Sequence, residues 1–213
     1  GKLTEELRAQ ILAAETQVAV DDLYRPYRPK RRTRATIAKE KGLEPLANLI
    51  LLQKMTETPL EEAKNYINPE KEVSTAEDAL NGAKDILAES VSDNADFRTH
   101  IRELTMKHGQ LLSAAKDPEA ESVYEMYYEF SESLSKLAGH RILAISRGEK
   151  EKFLTVKIDA PVDRILSYLD RKLITAPSAP TAAVLHEVTE DAYNRLIAPA
   201  IEREIRNDLF EKA

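Results

Sequence analysis

The chain has 213 residues, of which 42% are hydrophobic and 32% are charged, and its net charge is −6. This length and apolar content suffice for one large or two small folded domains, which argues against a disordered tail. The absence of cysteine excludes disulfides and thiolate metal sites, and the longest apolar runs, such as Leu49–Leu52, are far shorter than the roughly 20 residues needed to cross a bilayer.

An amphipathic pattern opens the chain. Apolar residues recur every three to four positions from Leu3 to Val18, which is the spacing of one helix face, and they predict a helix from about Thr4 to Leu23. The sequence begins without methionine and stops at Ala213 within another helical pattern. We therefore expect the chain to be a piece of a longer protein.

A basic segment with two prolines follows this helix. The window Arg25–Lys41 contains eight basic residues and one acid, and so carries +7, whereas the rest of the chain carries −13, the difference between −6 and +7. Pro26 and Pro29 favour an extended, polyproline-like passage that holds the basic side chains outward. This charge asymmetry concentrates attraction for anions, and nucleic-acid backbone is the obvious partner. The candidate binding residues are Arg25, Arg28, Lys30, Arg31, Arg32, Arg34, Lys39 and Lys41.

A helix, a glycine turn and a second helix are predicted next. Thr33 can cap a short helix that runs through Lys41, and Gly42 can end that helix in a left-handed conformation. The pattern of Leu43–Gln53 predicts the second helix. Short helices joined by tight turns are typical of helix-turn-helix bundles.

Polar caps predict three further helices. Thr58 is followed by a proline and then by Glu61, which is the signature of a capped helix start. Ser74–Glu77 has a similar signature, and Asp93 or Asn94 can cap the helix that follows. The predicted helices cover about 59–67, 75–91 and 94–108.

Two later stretches have the composition of strands. Leu111–Ala115 is short and apolar, and Phe153–Ile158 alternates strand-forming residues, so we predict that they pair as a small two-stranded sheet. Between them, Glu119–Glu132 is predicted as an acidic, aromatic helix. Ser135–Arg147 is also predicted as a helix, although Arg141–Ile145 would suit a strand as well.

The C-terminal part is predicted to be helical. Val162–Ile174 has helical spacing, Thr181 is the predicted cap of a helix that reaches Leu196, and Pro199 should kink or restart the chain into a last helix. The predicted fold class is mainly α, a multi-helix bundle with a helix-turn-helix-like part and one small two-stranded β element.

Three regions follow from this pattern. We assign residues 1–70 to a helical bundle with the basic segment and the helix-turn-helix-like part. Residues 71–198 form a helical region with the small β element, and residues 199–213 form the start of a long central helix.

Four stretches of the chain contain long, distinctive motifs. They are Asp22–Leu46, which includes the whole basic window, Ser135–Glu151, Asp191–Pro199 and Ile201–Arg206. In this order they resemble the Tex family of bacterial transcription accessory proteins, which is related to a eukaryotic transcription elongation factor.

This resemblance implies a multi-domain cytoplasmic protein that binds RNA and DNA. It implies a helical N-terminal region with a helix-turn-helix, to which this chain corresponds, followed by resolvase-like, helix-hairpin-helix and OB-fold RNA-binding domains. Those domains of the same full-length chain, nucleic acid and the transcription machinery are the expected partners. By this resemblance, we expect the principal RNA-binding module of the family to lie outside these 213 residues.

The basic segment has three open interpretations. Its arginines could pair bidentately with phosphate while Tyr24 and Tyr27 stack on exposed bases. Alternatively, the tyrosines pack the segment onto the bundle and the arginines neutralise acidic surface on the same protein. The third interpretation is a contact with another protein. The acidic face of the predicted Glu119–Glu132 helix could dock a basic partner or simply be solvated.

Nothing in the sequence indicates an enzyme, a cofactor or a metal site. No catalytic triad, phosphate-cradling glycine loop or recognisable pair of acid/base carboxylates is present. We interpret the polar cluster at His140 and Arg147–Glu149 as a structural turn in which Gly148 supplies a positive φ. The histidines lack the spacing of metal ligands; they are His100, His108, His140 and His186. We therefore predict a non-enzymatic nucleic-acid-binding scaffold, with a protein-protein or interdomain scaffold as the alternative.

Overall fold

The computed structural model describes residues 32–212 of the chain, with side chains described through Glu211. Its α-helices are α1 (Arg34–Glu40), α2 (Glu44–Leu52), α3 (Pro59–Ala63), α4 (Ala76–Ser92), α5 (Ala95–His108), α6 (Gly139–Lys150), α7 (Val162–Leu173), α8 (Thr181–Asp191) and α9 (Ala198–Lys212). Its strands are β1 (Gln110–Ala115), β2 (Glu129–Ser133) and β3 (Leu154–Asp159). The predicted first helix lies outside the described residues, as do Pro26 and Pro29 of the basic segment. Within residues 32–212, no helix is both long enough and apolar enough to span a membrane.

Threonine caps begin three of the helices: Thr33 and Thr58 as the sequence predicts, and Thr75 within the predicted Ser74–Glu77 start. The backbone N–H of Thr36 donates to Thr33 Oγ1 at 3.2 Å, and the side chain of Thr36 completes a capping box. Thr58 and Thr75 cap α3 and α4 in the same way, each accepting from the backbone N–H three residues later. Gly42 follows α1 with φ of 78°, which confirms the predicted left-handed turn between α1 and α2.

The chain divides into two compact units. The first contains the described residues up to Arg98 together with Leu166–Ile197, and the second contains Thr99–Ile165 together with the described residues from Ala198. The division into regions 1–70, 71–198 and 199–213 stays a prediction. Helices that we assigned to the first two of those regions lie together in the first unit.

Helix α4 is the centre of the first unit. Helices α1, α2, α3 and α8 all pack against it. Its small buried residues, such as Ala79 and Ala83, allow the surrounding helices to approach closely, and they lie among larger side chains that are almost fully buried. Those larger side chains include Leu43, Leu46, Ile50, Leu169 and Leu185.

A small antiparallel sheet forms the second unit with α6 and α9. Strand β1 lies between the other two, so the order is β2-β1-β3. In the pairing of β1 with β3, Leu111 lies opposite Ile158 and Ala115 opposite Leu154, which confirms the predicted pairing of these stretches. Buried and exposed residues alternate along β3, and its buried side faces α6 and α9.

The prediction of mainly α structure is confirmed, but the prediction of only two strands is wrong. Residues 119–132 do not form a helix: a 3-10 turn at Glu125–Tyr127 leads into β2, which pairs with β1. Ser113 Oγ on β1 donates to the backbone carbonyl of Tyr127 at 2.6 Å and fixes the entry to β2. Pairing with β1 satisfies the backbone of β2, and this tertiary contact outweighs the helical spacing of the glutamates.

The predicted helix over residues 135–147 is confirmed as α6, but the role assigned to Gly148 is wrong. Gly148 lies inside α6, and among the described residues positive φ occurs instead at Gly42, Gln53, Glu72 and Lys152. A Cβ on Gly148 would lie 2.6 Å from Leu154 Cδ1 and 3.1 Å from Tyr124 Cγ. Glycine is required here because β3 and Tyr124 pack directly against the helix backbone.

The C-terminal helices follow the prediction except at the start of α8. Thr181 is the first residue of α8 rather than its cap, and its buried hydroxyl has no hydrogen-bond partner in the described structure. The predicted interruption before Pro199 is a π-helical segment, Ala192–Ile197, which ends where α9 begins. Proline lacks an N–H, and a π-helical turn accommodates its missing hydrogen bond. In α9, Ile201 and Ile205 are buried, whereas Leu209 and Phe210 are half-buried.

Candidate nucleic-acid interface

The described half of the basic segment lies on and beside α1. Arg32 precedes the helix cap, Arg34 and Lys39 lie within α1, and Lys41 follows its end. Arg32, Arg34 and Lys39 are exposed and Lys41 is half-buried. Four predicted site residues, Arg25, Arg28, Lys30 and Arg31, lie outside the described residues, as do Tyr24 and Tyr27.

The start of α1 is fixed to the core of the first unit by Thr33. Its hydroxyl accepts from the backbone N–H of Thr36 and donates to Glu89 Oε2 on α4 at 2.7 Å. The backbone N–H of Thr33 in turn donates to Thr36 Oγ1 at 2.6 Å. These bonds hold the middle of the basic segment, where α1 begins, against α4.

Arg32 pairs with Glu40, the one acid of the basic window. Arg32 Nη2 lies 2.9 Å from Glu40 Oε2, and both side chains are more than half exposed. An exposed pair of this kind contributes between 0 and about 1 kcal/mol to stability. The pair nevertheless neutralises one of the eight predicted phosphate-binding charges.

Arg34 lies beside a group of carboxylates and bases from α4 and α8. It lines a cavity of about 380 Å³ together with Lys84 and Asp85 of α4 and Glu187 and Asp191 of α8. Lys84 Nζ lies 2.5 Å from Glu187 Oε2, which joins α4 to α8 directly. Because three carboxylates face two bases in this cavity, Arg34 lies in an acidic environment rather than in a positive patch.

Arg195 lies beside both aspartates of this group, whose pKa values shift in opposite directions. It donates from Nη2 to Asp191 Oδ2 at 2.8 Å, and this hydrogen bond lowers the pKa of Asp191 below its usual range. The same nitrogen is 3.8 Å from Asp85 Oδ1. Burial raises the pKa of Asp85, because Arg195 and Arg34 only partly offset the desolvation of its carboxylate.

Lys39 and Lys41 also have acidic neighbours. Lys39 lines a cavity of about 350 Å³ between α1, α2 and α4, whose rim contains Glu44, Glu89 and Asp93. Lys41 lines another of about 300 Å³ whose charged residues include Glu72, Asp78 and Asp85. The four described bases therefore do not form an uninterrupted cationic surface, although all of them lie within one short stretch of chain.

The acidic helix face expected at residues 121–132 does not exist. Glu121 lies in a loop, Glu125 in the 3-10 turn, and Glu129 and Glu132 in β2, where Glu132 is near Arg141 at 3.5 Å. Two aromatic residues of this stretch belong to the core, since Tyr124 and Tyr127 are 5% and 4% exposed. Phe130 packs edge-on against Tyr127, with the ring centroids 5.2 Å apart.

Sequence reasoning missed a polar cluster around His186 in the first unit. The two ring nitrogens of His186 lie 2.7 Å from Asp170 Oδ2 and 2.6 Å from Glu190 Oε1. The spacing of four residues between His186 and Glu190 was a visible signal, whereas Asp170 on α7 could not be paired with them from sequence. Among the described residues, no three histidine, aspartate or glutamate side chains are arranged to hold a metal ion.

Sequence reasoning also missed the role of Gln53. This buried residue follows α2 with φ of 59°, and its Nε2 donates to the carbonyl of Leu173 at 2.8 Å. Its Oε1 accepts from the backbone N–H of Thr175 at 2.8 Å and of Ala176 at 3.2 Å. Gln53 thus joins the end of α2 to the loop after α7.

Residues 54–213, well over half of the chain, match a protein-family model described as Tex central region-like. This description refers to a central region of the family, whereas we predicted from the sequence that the chain corresponds to an N-terminal helical region. The match covers the residues from just after Gln53 to the end of the chain, and therefore does not include α1 and the basic segment.

Individual relatives extend over the basic segment. The chain is 49% identical to the protein YdcI of Bacillus subtilis (strain 168), with 100% of this chain and 30% of that protein covered. It is 34% identical to the transcriptional accessory protein Tex of Neisseria gonorrhoeae, with 79% of this chain and 23% of that protein covered. It is 31% identical to the human S1 RNA-binding domain-containing protein 1, with 100% of this chain and 23% of that protein covered. The chain therefore spans less than a third of the length of these relatives.

Proposed function

Because the chain belongs to the Tex central region-like family, we propose that it is a non-enzymatic scaffold region of a transcription accessory protein and that it contacts nucleic acid through its basic segment. The transcriptional role is suggested by the name of the Neisseria relative. RNA as one of the nucleic acids is suggested by the name of the human relative. The proposal includes the cytoplasmic location that the family resemblance implies.

The charge distribution is the observation that carries this proposal. A window of +7 in a chain of −6 concentrates phosphate attraction in one short stretch. Arginine supplies five of its first six bases, and its guanidinium pairs with two phosphate oxygens at once. Neutralised phosphates release counterions, so binding by this stretch must weaken steeply as salt rises.

The neighbours of the described bases divide the eight candidate residues into two groups. Arg32, Arg34, Lys39 and Lys41 each have carboxylates of the first unit beside them, and these carboxylates reduce their attraction for phosphate. The stretch from Arg25 to Arg31 contains four bases and no acid. We assign most of the phosphate contact to these four bases. The four described bases, which lie on or beside α1, instead position the segment against the carboxylates of the first unit.

The second candidate function is an interdomain or protein-protein scaffold without nucleic-acid contact. The specific observation in its favour is Arg34, which lies beside Asp85 and Asp191 and influences the pKa of both. In this alternative the basic segment neutralises acidic surface of its own protein. Its partners would be the resolvase-like, helix-hairpin-helix and OB-fold domains of the full-length chain, or the transcription machinery.

Two variants with the same loss of charge separate these functions. In the first, Arg25, Arg28, Lys30 and Arg31 are replaced by glutamine; in the second, Arg32, Arg34, Lys39 and Lys41 are replaced by glutamine. Each removes four positive charges from the same window, so general electrostatics changes equally. Binding of the 213-residue chain to single-stranded RNA, single-stranded DNA and duplex DNA is then measured across a salt series, together with the melting temperature.

We expect the first variant to bind all three nucleic acids more weakly and with a flatter salt dependence. Loss of four phosphate contacts should reduce the slope of log affinity against log salt by about 3. The second variant should retain most of the slope but melt at a lower temperature. If the first variant keeps the affinity and slope of the unmodified chain, the nucleic-acid proposal is wrong and the scaffold alternative is favoured.

A further inference from the structure

His186 lies between two carboxylates that come from different helices. Its Nδ1 is 2.7 Å from Asp170 Oδ2 on α7, and its Nε2 is 2.6 Å from Glu190 Oε1 on α8. About half of the His186 side chain is exposed, so its ring can exchange protons directly with solvent. The three residues therefore connect α8 to α7 through a group that titrates near neutral pH.

The position of Asp170 is fixed by a second residue of α8. Thr189 is fully buried, and its hydroxyl donates to Asp170 Oδ1 at 2.6 Å. One oxygen of Asp170 thus accepts from Thr189 and the other faces His186. Because this carboxylate cannot turn away without losing the bond from Thr189, the distance to His186 is set by the packing of the two helices.

The geometry requires a specific protonation state of the ring. A neutral imidazole has one N–H and one nitrogen lone pair, whereas an imidazolium has two N–H donors. With both nitrogens at hydrogen-bonding distance from carboxylate oxygens, a neutral ring would direct one lone pair at an anionic oxygen. Only the charged ring donates a hydrogen bond to both carboxylates.

Charges on the described helices that pack against α8 have neighbours of their own. Lys84 of α4 is paired with Glu187, and the one charged residue of α2, Glu44, lines a cavity with Lys39 and Asp93. Among the described residues, Asp170 and Glu190 are the charged groups that shift the pKa of His186. The net charge of the cluster formed by His186, Asp170 and Glu190 therefore changes with the protonation of the His186 ring.

We propose that His186, Asp170 and Glu190 form a proton-operated clamp, which tightens the contact of α8 with α7 while the imidazole is charged and weakens it when the proton is lost. Loss of the proton leaves two carboxylates facing a ring that can donate only one hydrogen bond. The loop from Ile174 to Pro180 joins the two helices, and Gln53 holds its first residues. The second half of this loop, next to α8, is therefore the part of the chain that the weakened contact should loosen.

The direction of the pH effect follows from the hydrogen bond with Asp170, which is the largest cause raising the pKa of His186 above its usual value of about 6.5. A group whose pKa is higher in the folded than in the unfolded chain stabilises the fold fully below its unfolded pKa. That contribution is lost as the pH rises through the folded pKa. The clamp is therefore closed in mild acid and opens on the alkaline side of about 6.5.

An NMR titration of the histidine ring protons in the 213-residue chain tests the clamp directly. The His186 signals are assigned by their absence in His186→Gln, and we expect their midpoint above about 6.5. Asp170→Asn should shift the midpoint downward more than Glu190→Gln does, since Asp170 is the stronger influence. A midpoint at or below the usual value in the unmodified chain would overturn the proposal.

Hydrogen exchange supplies the conformational readout. After correction for the intrinsic pH dependence of exchange, amides in the second half of the 174–180 loop should lose part of their protection as the pH rises through the His186 midpoint. In His186→Gln this reduced protection should be present at every pH, whereas the control His140→Gln, at an exposed histidine of α6, should behave like the unmodified chain. Loop protection that stays constant through the midpoint would show that His186 titrates without operating a clamp.

Discussion

Thr33 Oγ1 donates a 2.7 Å hydrogen bond to Glu89 Oε2, although the two residues are 56 positions apart in the sequence. The same hydroxyl accepts from the N–H of Thr36 and so caps α1. One side chain therefore begins the helix and attaches it to α4. This double role makes Thr33 the anchor of the described part of the basic segment.

Replacement of Thr33 by alanine removes both interactions at once. We expect the free energy of unfolding in urea to fall by about 2.5 to 4 kcal/mol, because a cap contributes about 1 kcal/mol and a hydrogen bond to a charged group a further 1.5 to 3 kcal/mol. Thr58→Ala is the matched control, since Thr58 caps α3 and is exposed. Equal losses in the two variants would mean that the bond to Glu89 adds nothing.

Gly148→Ala should destabilise the second unit. The new methyl group would lie 2.6 Å from Leu154 Cδ1 and 2.9 Å from Leu154 Cγ, and Leu154 is fully buried. Overpacking costs about 1 to 3 kcal/mol, and the higher helix propensity of alanine offsets up to about 1 kcal/mol of it. The net loss of unfolding free energy, measured by urea titration, should be about 1 to 2 kcal/mol.

Gly139 provides the control for this substitution within the same helix. A Cβ at Gly139 meets no atom within 4 Å, so Gly139→Ala should leave stability unchanged or raise it slightly. Similar destabilisation by both substitutions would contradict the close contact between α6 and β3.

Gln53→Met should separate the loop after α7 from the end of α2. Methionine has similar volume but cannot donate to the Leu173 carbonyl or accept from the N–H groups of Thr175 and Ala176. Part-buried polar groups without partners cost about 1 to 3 kcal/mol each, and water entering the loop would recover part of this loss. We expect a loss of about 3 kcal/mol in urea unfolding.

The control for Gln53 is Gln110→Met at an exposed position on β1. Its effect should stay within about 0.5 kcal/mol, as is usual for surface substitutions. Should the two glutamine variants unfold at the same urea concentration, the amide of Gln53 has no special role in the loop.

The two aspartates beside Arg195 should respond oppositely to acid. The hydrogen bond from Arg195 lowers the pKa of Asp191, so its carboxylate stabilises the fold above the unfolded pKa of about 3.9, and this contribution is lost as the pH falls through the folded pKa. Burial raises the pKa of Asp85, so its ionisation costs stability as the pH rises through that value.

Asparagine variants of both residues test this difference. Asp191→Asn should lower the melting temperature at neutral pH, and the difference from the unmodified chain should shrink in acid. Asp85→Asn should lower the melting temperature less than Asp191→Asn does at neutral pH. Melting curves that shift equally for the two variants at every pH would contradict the assigned environments.

Local features of the fold could be predicted from sequence because their causes are local. Thr33, Thr58 and Thr75 cap helices through hydrogen bonds that reach only three residues along the chain. Gly42 ends α1 because glycine adopts positive φ without steric cost. The alternation in Phe153–Ile158 marked a strand with one buried face, and its apolar partner near Leu111 was the only comparable stretch nearby.

The third strand required information that lies outside its own sequence. Glu125 and Glu129 have helical spacing, yet the backbone from Glu129 onwards is satisfied by β1. Gly148 was misinterpreted for a related reason. A glycine can be required because it adopts positive φ or because it allows close packing, and only the position of Leu154 distinguishes these two requirements.

For the candidate site, the sequence by itself determined where positive charge is concentrated, because charge is fixed by residue type. Only the tertiary structure decided which charges lie close together. Asp85 and Asp191 approach Arg34 from helices about 50 and 160 positions away in the sequence. Asp170 approaches His186 from another helix. Electrostatic interaction depends on distance in space, which the fold sets when it packs α8 against α4 and α7, and sequence separation does not reveal it.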